Sequence, residues 1–155
     1  NMLASVDRAR QDGAVVLTGG RRLTGGVHKG GYYVAPTLIE QAGRSADITR
    51  NELFGPITCL YRVHDFEEAV RLANDSTFGL TASIHTRSIH RAMTFIARIQ
   101  SGVAVVNGGT FGSEAHLPFG GLKQSGNGWR EAGTAAIDVY SDLKTIYINH
   151  DPAHV

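Results

Sequence analysis

The sequence contains a single cysteine, no long apolar run and almost no net charge. One cysteine, Cys59, excludes an intramolecular disulfide framework and favours a reducing compartment such as the cytoplasm. No apolar run reaches the roughly 18 residues that a membrane-spanning helix needs, and the N-terminal segment lacks the apolar core of a signal peptide. Because the formal net charge is only +1, we expect neither a nucleic acid nor a membrane as a partner.

Glycine is abundant, at 19 of 155 positions, and short apolar segments alternate along the chain. Their periodicity predicts helices at 2–12, 66–75, 88–99 and 135–143 and strands at 14–17, 32–40, 57–63, 80–86, 102–107 and 145–149. Helix 88–99 has Ile89, Met93 and Ile96 on one face. The order strand, helix, strand, helix, strand predicts an α/β fold with a parallel sheet. Since no repeat or linker interrupts the chain, we expect one domain or part of one.

The glycine-rich segment 117–133 resembles a phosphate-binding loop only at first sight. A P-loop needs a glycine directly before its lysine, and no glycine in this segment precedes a lysine. Gly126 and Gly128 begin a dinucleotide fingerprint, but Glu131 occupies the place of its third glycine. The simpler interpretation is a long structural loop packed against the sheet, although loops of this length often carry function.

The seven histidines do not form a metal-binding pattern. His85 and His90 are five positions apart, which does not place two side chains on one face of a helix. Glu114 and His116 are the most ligand-like pair, but two ligands do not complete a zinc site, and we expect no metal. Cys59 lies within an apolar predicted strand, which favours a buried, unreactive thiol.

Two motifs resemble segments of the aldehyde dehydrogenase superfamily. NELFGP at 51–56 matches the family's E-x-F-G-P segment, and PFGGLKQSG at 118–126 matches its P-F-G-G-x-K-x-S-G loop. The segments GYYVAPTLI, FGLTASIHT and TIYIN also match family segments, so that the resemblance runs from about residue 14 to 149. Several motifs in the family's order are more specific than any one of them alone.

The resemblance implies a role for the first motif in binding NAD or NADP. In the family, the glutamate that matches Glu52 accepts hydrogen bonds from the hydroxyls of the nicotinamide ribose, a task that suits a carboxylate. The phenylalanine that matches Phe54 packs beside the nicotinamide ring and helps to place it for hydride transfer. The alternative is that Glu52 is an exposed turn acid and Phe54 a core residue.

The resemblance also implies that the loop 108–119 forms a wall of the aldehyde entrance. The expected substrate-lining residues are Gly109, Thr110, Phe111 and Phe119, with core packing as the alternative for both phenylalanines. The loop most resembles those of members that act on aldehydes bearing a carboxylate, such as semialdehydes.

For the fold, the resemblance implies a three-layer α/β/α arrangement around a parallel sheet, as in one half of the family's catalytic domain. The whole of residues 1–155 is then the C-terminal part of that domain, ending in a glycine-rich loop and an oligomerisation strand at 145–149. Because family members bury this strand in a subunit interface, we expect a homodimer or homotetramer.

The family's reaction requires a cysteine nucleophile and a glutamate base, and both lie upstream of the E-x-F-G-P segment in the family. Cys59 follows Glu52 and so does not match the nucleophile, and no catalytic residue is assigned within the chain. We therefore expect the parent protein to be an NAD(P)-dependent aldehyde dehydrogenase and the isolated chain to be inactive. The alternatives are a non-catalytic binding or assembly module of the same fold, and an unrelated small nucleotide-binding domain.

Overall fold

The computed structural model describes residues 2–151 and 153, in two compact units, one reaching to Arg71 and the other beginning at Leu72. The helices are α1 (Met2–Gln11), α2 (Asp47–Arg50), α3 (Phe66–Asn74), α4 (Ile89–Arg98) and α5 (Ala135–Val139). The strands are β1 (Val15–Thr18), β2 (Arg22–Leu23), β3 (Tyr33–Val34), β4 (Thr37–Glu40), β5 (Ile57–Leu60), β6 (Phe78–Gly79), β7 (Thr81–Ile84), β8 (Val103–Val106) and β9 (Leu122–Lys123). Within the described residues, no helix has the length and hydropathy to cross a membrane.

The main sheet of the first unit has β4 at its centre, between β1 and β5. β5 runs parallel to β4, with Cys59 opposite Ile39, and α2 lies in the connection between them. β1 runs antiparallel to β4, with Val16 opposite Ile39. The sheet is therefore mixed, because β1 and β4 run in opposite directions.

A single hydrophobic core joins α1, β4 and α2 in the first unit. Val6 and Ile39 are fully buried, and Ala9 and Ile48 lie beside them. Burial of a side chain of this size contributes about 1.5–3 kcal/mol, so these residues fix α1 against β4 and α2. The helix predicted from Val6 and Ala9 is confirmed, and the chain leaves it at Gly13 with a φ of +93°.

Reciprocal side-chain bonds begin α3, which corresponds to the helix predicted at 66–75. The Glu68 N–H donates to Asp65 Oδ1 at 2.8 Å, and Glu68 Oε2 accepts from the His64 N–H at 2.9 Å. This arrangement is a variant of the capping box. The hydrogen bond from His64, followed by that from Arg44, lowers the pKa of the Glu68 carboxyl.

In the second unit, β7 and β8 are parallel and α4 forms the crossover between them. The Ser88 hydroxyl caps α4 by accepting from the Arg91 N–H at 3.3 Å. The buried side chains of α4 are Ala92 and Phe95. The residues that the sequence placed on its apolar face are exposed instead, namely Ile89, Met93 and Ile96.

Residues 141–151 contain no helix or strand, so the strand predicted at 145–149 is not formed within this chain. Ile146, Tyr147 and Ile148 are 69, 88 and 83% exposed. A strand needs a hydrogen-bonded neighbour, and no described segment pairs with this one. Its pairing with a second copy stays a prediction.

The α/β class is confirmed by parallel strand pairs on either side of helical crossovers, β4 with β5 and β7 with β8. The antiparallel pairs, β1 with β4, β2 with β3 and β6 with β9, were not predicted. The three-layer arrangement around a purely parallel sheet stays a prediction.

Candidate functional site

The segment 51–56 connects α2 to β5, and backbone hydrogen bonds hold both of its ends. The Asn51 N–H donates to the Asp47 carbonyl at 2.9 Å, which closes the last turn of α2. At the other end, the Thr37 N–H donates to the Pro56 carbonyl at 2.8 Å. The segment therefore has a defined path between the helix and the sheet.

Neighbouring side chains of this segment point in opposite directions, Leu53 into the core and Phe54 into solvent. Leu53 packs against the hydrophobic core of the first unit, whereas Phe54 is 88% exposed. Phe54 has a φ of +48°, which is rare for a bulky residue and costs about 1–3 kcal/mol. Such strain persists only where the surrounding structure enforces it.

Glu52 and Phe54 line one cavity of about 390 Å³ in the first unit. Cys59 and Tyr61 of the neighbouring strand region, together with Thr49 of α2, line the same cavity. The structure thus brings together the two residues predicted to bind the cofactor. The alternative that Phe54 is a core residue is wrong, because its ring is exposed.

A pair of hydroxyl groups forms one polar part of this cavity's lining. The Thr49 and Tyr61 hydroxyl oxygens are 2.7 Å apart. Thr49 Oγ1 also donates to the Gly43 carbonyl at 2.9 Å. Since a threonine hydroxyl has one proton, Tyr61 is the donor in the pair. Both hydroxyls are then engaged within the protein.

Cys59 is half-buried in β5 and is not activated as a nucleophile. Burial raises the pKa of its thiol above the ordinary 9.0. Its Sγ lies 3.9 Å from the Ile48 carbonyl oxygen, to which the thiol donates. Because the thiolate is the reactive form, this cysteine is a poor nucleophile at neutral pH, in agreement with the sequence-based interpretation.

In the second unit, the predicted entrance loop starts where the parallel strands β7 and β8 end. The Asn107 side chain spans the backbone of Thr86, accepting from its N–H at 2.8 Å and donating to its carbonyl at 3.0 Å. Ser83 Oγ donates to the Gly108 carbonyl at 2.6 Å. These bonds fix the first residues of the loop to the end of β7.

Gly109, Thr110 and Phe111 follow directly and are exposed. The ring of Phe111 lies so close to Gly109 that an added Cβ there would collide with it. Phe111 is itself 88% exposed, so its ring contacts backbone rather than core. The interpretation of Phe111 as a core residue is therefore wrong.

Phe119 lies apart from these three residues in the lining of a second cavity. It is half-buried and exchanges two backbone hydrogen bonds with Glu131, of 2.7 and 2.8 Å. The cavity measures about 520 Å³ and is also lined by Trp129 and Ser125, but not by Gly109, Thr110 or Phe111. The structure therefore does not gather the four predicted substrate-lining residues around one cavity.

Glycines of the second motif are packed backbone to backbone. A Cβ at Gly102 would collide with the Gly120 carbonyl oxygen, and one at Gly126 would collide with the Gly121 carbonyl oxygen. These positions require glycine because of close approach. The contacts support the interpretation of this segment as a structural loop.

The polar residues of the same motif also serve the fold. Lys123 Nζ donates to the carbonyls of Asn74 and Ser76 at 2.7 and 2.9 Å, just after the end of α3. Ser125 Oγ accepts from the Gly79 N–H at 3.1 Å. No separate role was predicted for these two side chains, since their partners lie more than 40 positions away.

The described residues include no group of three or more His, Cys, Asp or Glu side chains arranged to hold a metal ion. In the first unit, the exposed groups available for chemistry are the Glu52 carboxylate and the Phe54 ring, which line one cavity. In the second unit, the corresponding feature is the loop anchored by Asn107.

Comparison with known proteins identifies the family to which the chain belongs. The sequence profile of the aldehyde dehydrogenase family matches residues 1–146. The chain is 40% identical over 148 residues to the alpha-ketoglutaric semialdehyde dehydrogenase of Bacillus subtilis (strain 168), covering 96% of this chain and 30% of that protein. It is 38% identical to the alpha-ketoglutarate semialdehyde dehydrogenase of Haloferax volcanii, covering 94% of this chain and 30% of the relative. The chain thus spans about a third of the length of these curated relatives.

Solved structures give the same result. A betaine aldehyde dehydrogenase of Staphylococcus aureus in complex with NAD+ superimposes with a TM-score of 0.83 and 32% identity, covering 90% of this chain and 27% of that one. Aldehyde dehydrogenase 21 of Physcomitrella patens, in complex with the reaction product succinate, gives a TM-score of 0.80 and 32% identity over 88% of this chain and 27% of its own. With its profile match, its relatives and its fold in agreement, this chain belongs to the aldehyde dehydrogenase family.

Proposed function

We propose that the chain supplies the nicotinamide side of an NAD(P) site, and part of the aldehyde entrance, in an enzyme that oxidises aldehydes to carboxylates. The observation that carries the proposal is the joint presence of Glu52 and Phe54 in the lining of one cavity. Similarity to an NAD-bound aldehyde dehydrogenase supports the choice of cofactor.

Glu52 is suited to bind the ribose next to the nicotinamide. It is exposed, and a carboxylate accepts hydrogen bonds from two vicinal hydroxyls at once. NAD and NADP have the same nicotinamide ribose, so either dinucleotide satisfies this contact. Phe54 offers a flat apolar ring beside it, and its strained φ of +48° is the kind of backbone cost that proteins retain at ligand sites.

The proposed substrate is an aldehyde that itself carries a carboxylate. The relatives of Bacillus subtilis and Haloferax volcanii are semialdehyde dehydrogenases by name, and the Physcomitrella patens enzyme holds succinate, a dicarboxylate. In this chain, the residues proposed to wall the entrance are Gly109, Thr110, Phe111 and Phe119.

The cysteine nucleophile and the glutamate base of the reaction are proposed to lie outside the 155 residues. Cys59 does not serve as the nucleophile, because burial raises the pKa of its thiol and because it lies after Glu52 in the chain. We therefore expect no aldehyde oxidation by the isolated chain. An NADH signal that depends on aldehyde and disappears in a Cys59→Ser variant of the purified chain would overturn this part of the proposal.

Substitution of Glu52 in the aldehyde dehydrogenase that carries this chain tests the proposal. Loss of a hydrogen bond to a charged group costs about 1.5–3 kcal/mol, so kcat/KM for NAD(P) should fall about ten- to hundredfold in Glu52→Gln. Asp12→Asn, at another exposed acid of the same unit, should leave it within about twofold. Steady-state kinetics with varied cofactor and saturating aldehyde measure both. Equal kinetics of Glu52→Gln and the unaltered enzyme would refute a role in cofactor binding.

We also propose that residues 145–149 pair with a second copy of the chain. Exposed apolar side chains at Ile146, Tyr147 and Ile148 have no strand partner among the described residues, and an unpaired apolar segment invites strand addition. Sedimentation velocity should show an oligomer, and Ile146→Lys should shift it towards the monomer. A clean monomer at high concentration would contradict this assignment.

A further inference from the structure

Asp47, the first residue of α2, uses both carboxylate oxygens to join two parts of the first unit. Its Oδ2 accepts from the Ser5 hydroxyl at 2.8 Å and from the Arg8 guanidinium, both on α1. Its Oδ1 accepts from the side-chain amide of Asn51. One carboxylate thus connects α1 to the residue directly before Glu52.

The α1 side of this connection is rigid because it is buried. Ser5 is only 3% exposed and is next to Val6, which is fully buried in the core. The Arg8 pair is more exposed, with side-chain exposures of 54% for Arg8 and 38% for Asp47, and exposed pairs of this kind contribute little. The buried hydroxyl and the Asn51 amide are therefore the more important partners of Asp47.

The Asn51 side of the connection controls the start of the segment 51–56. Asn51 is bonded to Asp47 twice, through its backbone N–H at 2.9 Å and through its side-chain amide. Two bonds to one residue fix both the position and the orientation of Asn51. The hydrogen bonds from Asn51, Ser5 and Arg8 lower the pKa of Asp47 from the ordinary 3.8 to about 2, so the acceptor is fully charged at neutral pH.

Beyond Asn51, the next fixed points along the chain are Leu53 in the core and Pro56 at the edge of the sheet. Glu52 lies between Asn51 and Leu53, and its backbone direction is set by these two neighbours. Phe54, which has a positive φ, leaves the core directly after Leu53 packs against it. If Asn51 is released, the segment loses the constraint that precedes Glu52.

We propose that Asp47 is a positioning residue which, through Asn51, holds Glu52 and Phe54 in the conformation that receives the nicotinamide ribose. This inference rests on the proposed function of Glu52. Asp47 itself touches no cofactor in this scheme. Its effect is to hold the segment 51–56 in one conformation before the cofactor binds, which lowers the entropy cost of binding.

Three variants separate this role from a general effect on stability. Asp47→Ala and Asn51→Ala each remove the side-chain bond, whereas Asp47→Asn retains an amide oxygen that can accept from Asn51. Asp7→Ala is the matched control, because Asp7, on α1, is likewise a carboxylate bonded to an arginine, Arg10, but has no link to the loop. Ile39→Val is the control for stability, since it weakens the core without touching the bond.

In the aldehyde dehydrogenase that carries this chain, Asp47→Ala and Asn51→Ala should raise the KM for NAD(P) about five- to tenfold, with kcat changed less than about twofold. Asp47→Asn should recover most of the loss. The variant that combines Asp47→Ala with Asn51→Ala should have a KM no higher than that of either single variant, because both substitutions remove the same bond. The KM for NAD(P) of Asp7→Ala and of Ile39→Val should equal that of the unaltered enzyme.

Hydrogen exchange of the 155-residue chain gives a readout that does not depend on activity. The backbone amide of residue 51, which is bonded to the Asp47 carbonyl, should exchange several-fold faster in Asn51→Ala. The same increase is expected in Asp47→Ala if that variant folds. Unchanged exchange and an unchanged KM in Asn51→Ala, with a normal loss in Glu52→Gln, would overturn the positioning role and leave the proposed function standing. An unchanged KM in Glu52→Gln as well would overturn the proposed function itself.

Discussion

Substitution of Asn107 tests whether the proposed entrance loop is anchored as the hydrogen bonds indicate. Asn107 has a φ of +56° and makes two side-chain bonds to the backbone of Thr86, of 2.8 and 3.0 Å. Asparagine suits this position for two separate reasons, because it tolerates the left-handed region and because it carries both a donor and an acceptor. Three variants separate these reasons, namely Asn107→Ala, Asn107→Gly and Asn107→Asp.

The expected costs follow from the bonds and the backbone. Each lost hydrogen bond contributes about 0.5–1.5 kcal/mol, so Asn107→Gly should lower the free energy of unfolding by about 1–2 kcal/mol, since these groups are partly exposed. Asn107→Ala adds the strain of a Cβ in the left-handed region, about 1 kcal/mol more. Asn107→Asp keeps the bond accepted from the Thr86 N–H and should cost about half as much as the glycine variant.

Urea unfolding followed by the fluorescence of Trp129 is the appropriate assay. Trp129 is the single tryptophan of the sequence and belongs to the same unit as Asn107. Variants with the same dependence on urea concentration can be compared directly by their midpoints. Equal midpoints for the alanine and glycine variants would refute the strain argument, and an unchanged midpoint for all three would refute the anchoring role.

Three further predictions concern other parts of the chain. Gly102→Ala should destabilise the second unit by about 1–3 kcal/mol, because its Cβ would collide with the Gly120 carbonyl; the control Gly25→Ala, which points into open space, should be nearly neutral in urea unfolding. The pKa of Asp47 is lowered from 3.8 to about 2 in the folded chain. The charged carboxylate therefore stabilises the fold fully above pH 3.8, and this stabilisation is lost as the pH falls through 2. The stability difference from Asp47→Asn should therefore be constant near neutral pH and shrink over that window. Alkylation of Cys59 should be slower in the folded chain than in urea at pH 8, and its rate should level off at a higher pH in the folded chain than in urea, because burial raises the pKa of the thiol.

The features of the fold that were predicted correctly depend on local signals. The helices predicted at 2–12 and 66–75 follow from the spacing of apolar residues within each segment, and the structure contains both. The buried face of α4 was not predicted, because Ile89 and Phe95 belong to two apolar stripes and only tertiary packing chooses between them. The antiparallel pairing of β1 with β4 likewise depends on contacts that local periodicity does not contain.

The candidate site shows the same division between local and distant information. Glu52 and Phe54 were predicted together because they are neighbours in the sequence, and they line one cavity. The bond from Ser5 to Asp47 joins residues 42 positions apart, so no motif could reveal it. The positive φ of Phe54 was equally hidden, since a bulky aromatic residue gives no sequence signal for the left-handed region.

Backbone touches backbone at Gly102, Gly120 and Gly126, so no rearrangement of side chains can make room for a larger residue there. Thr110, Phe111 and residues 113–117 are exposed, and no backbone contact of this kind limits their side chains. In the proposed enzyme, differences in substrate preference are therefore expected at these exposed positions, while the backbone contacts at Gly102, Gly120 and Gly126 hold the neighbouring segment in one conformation.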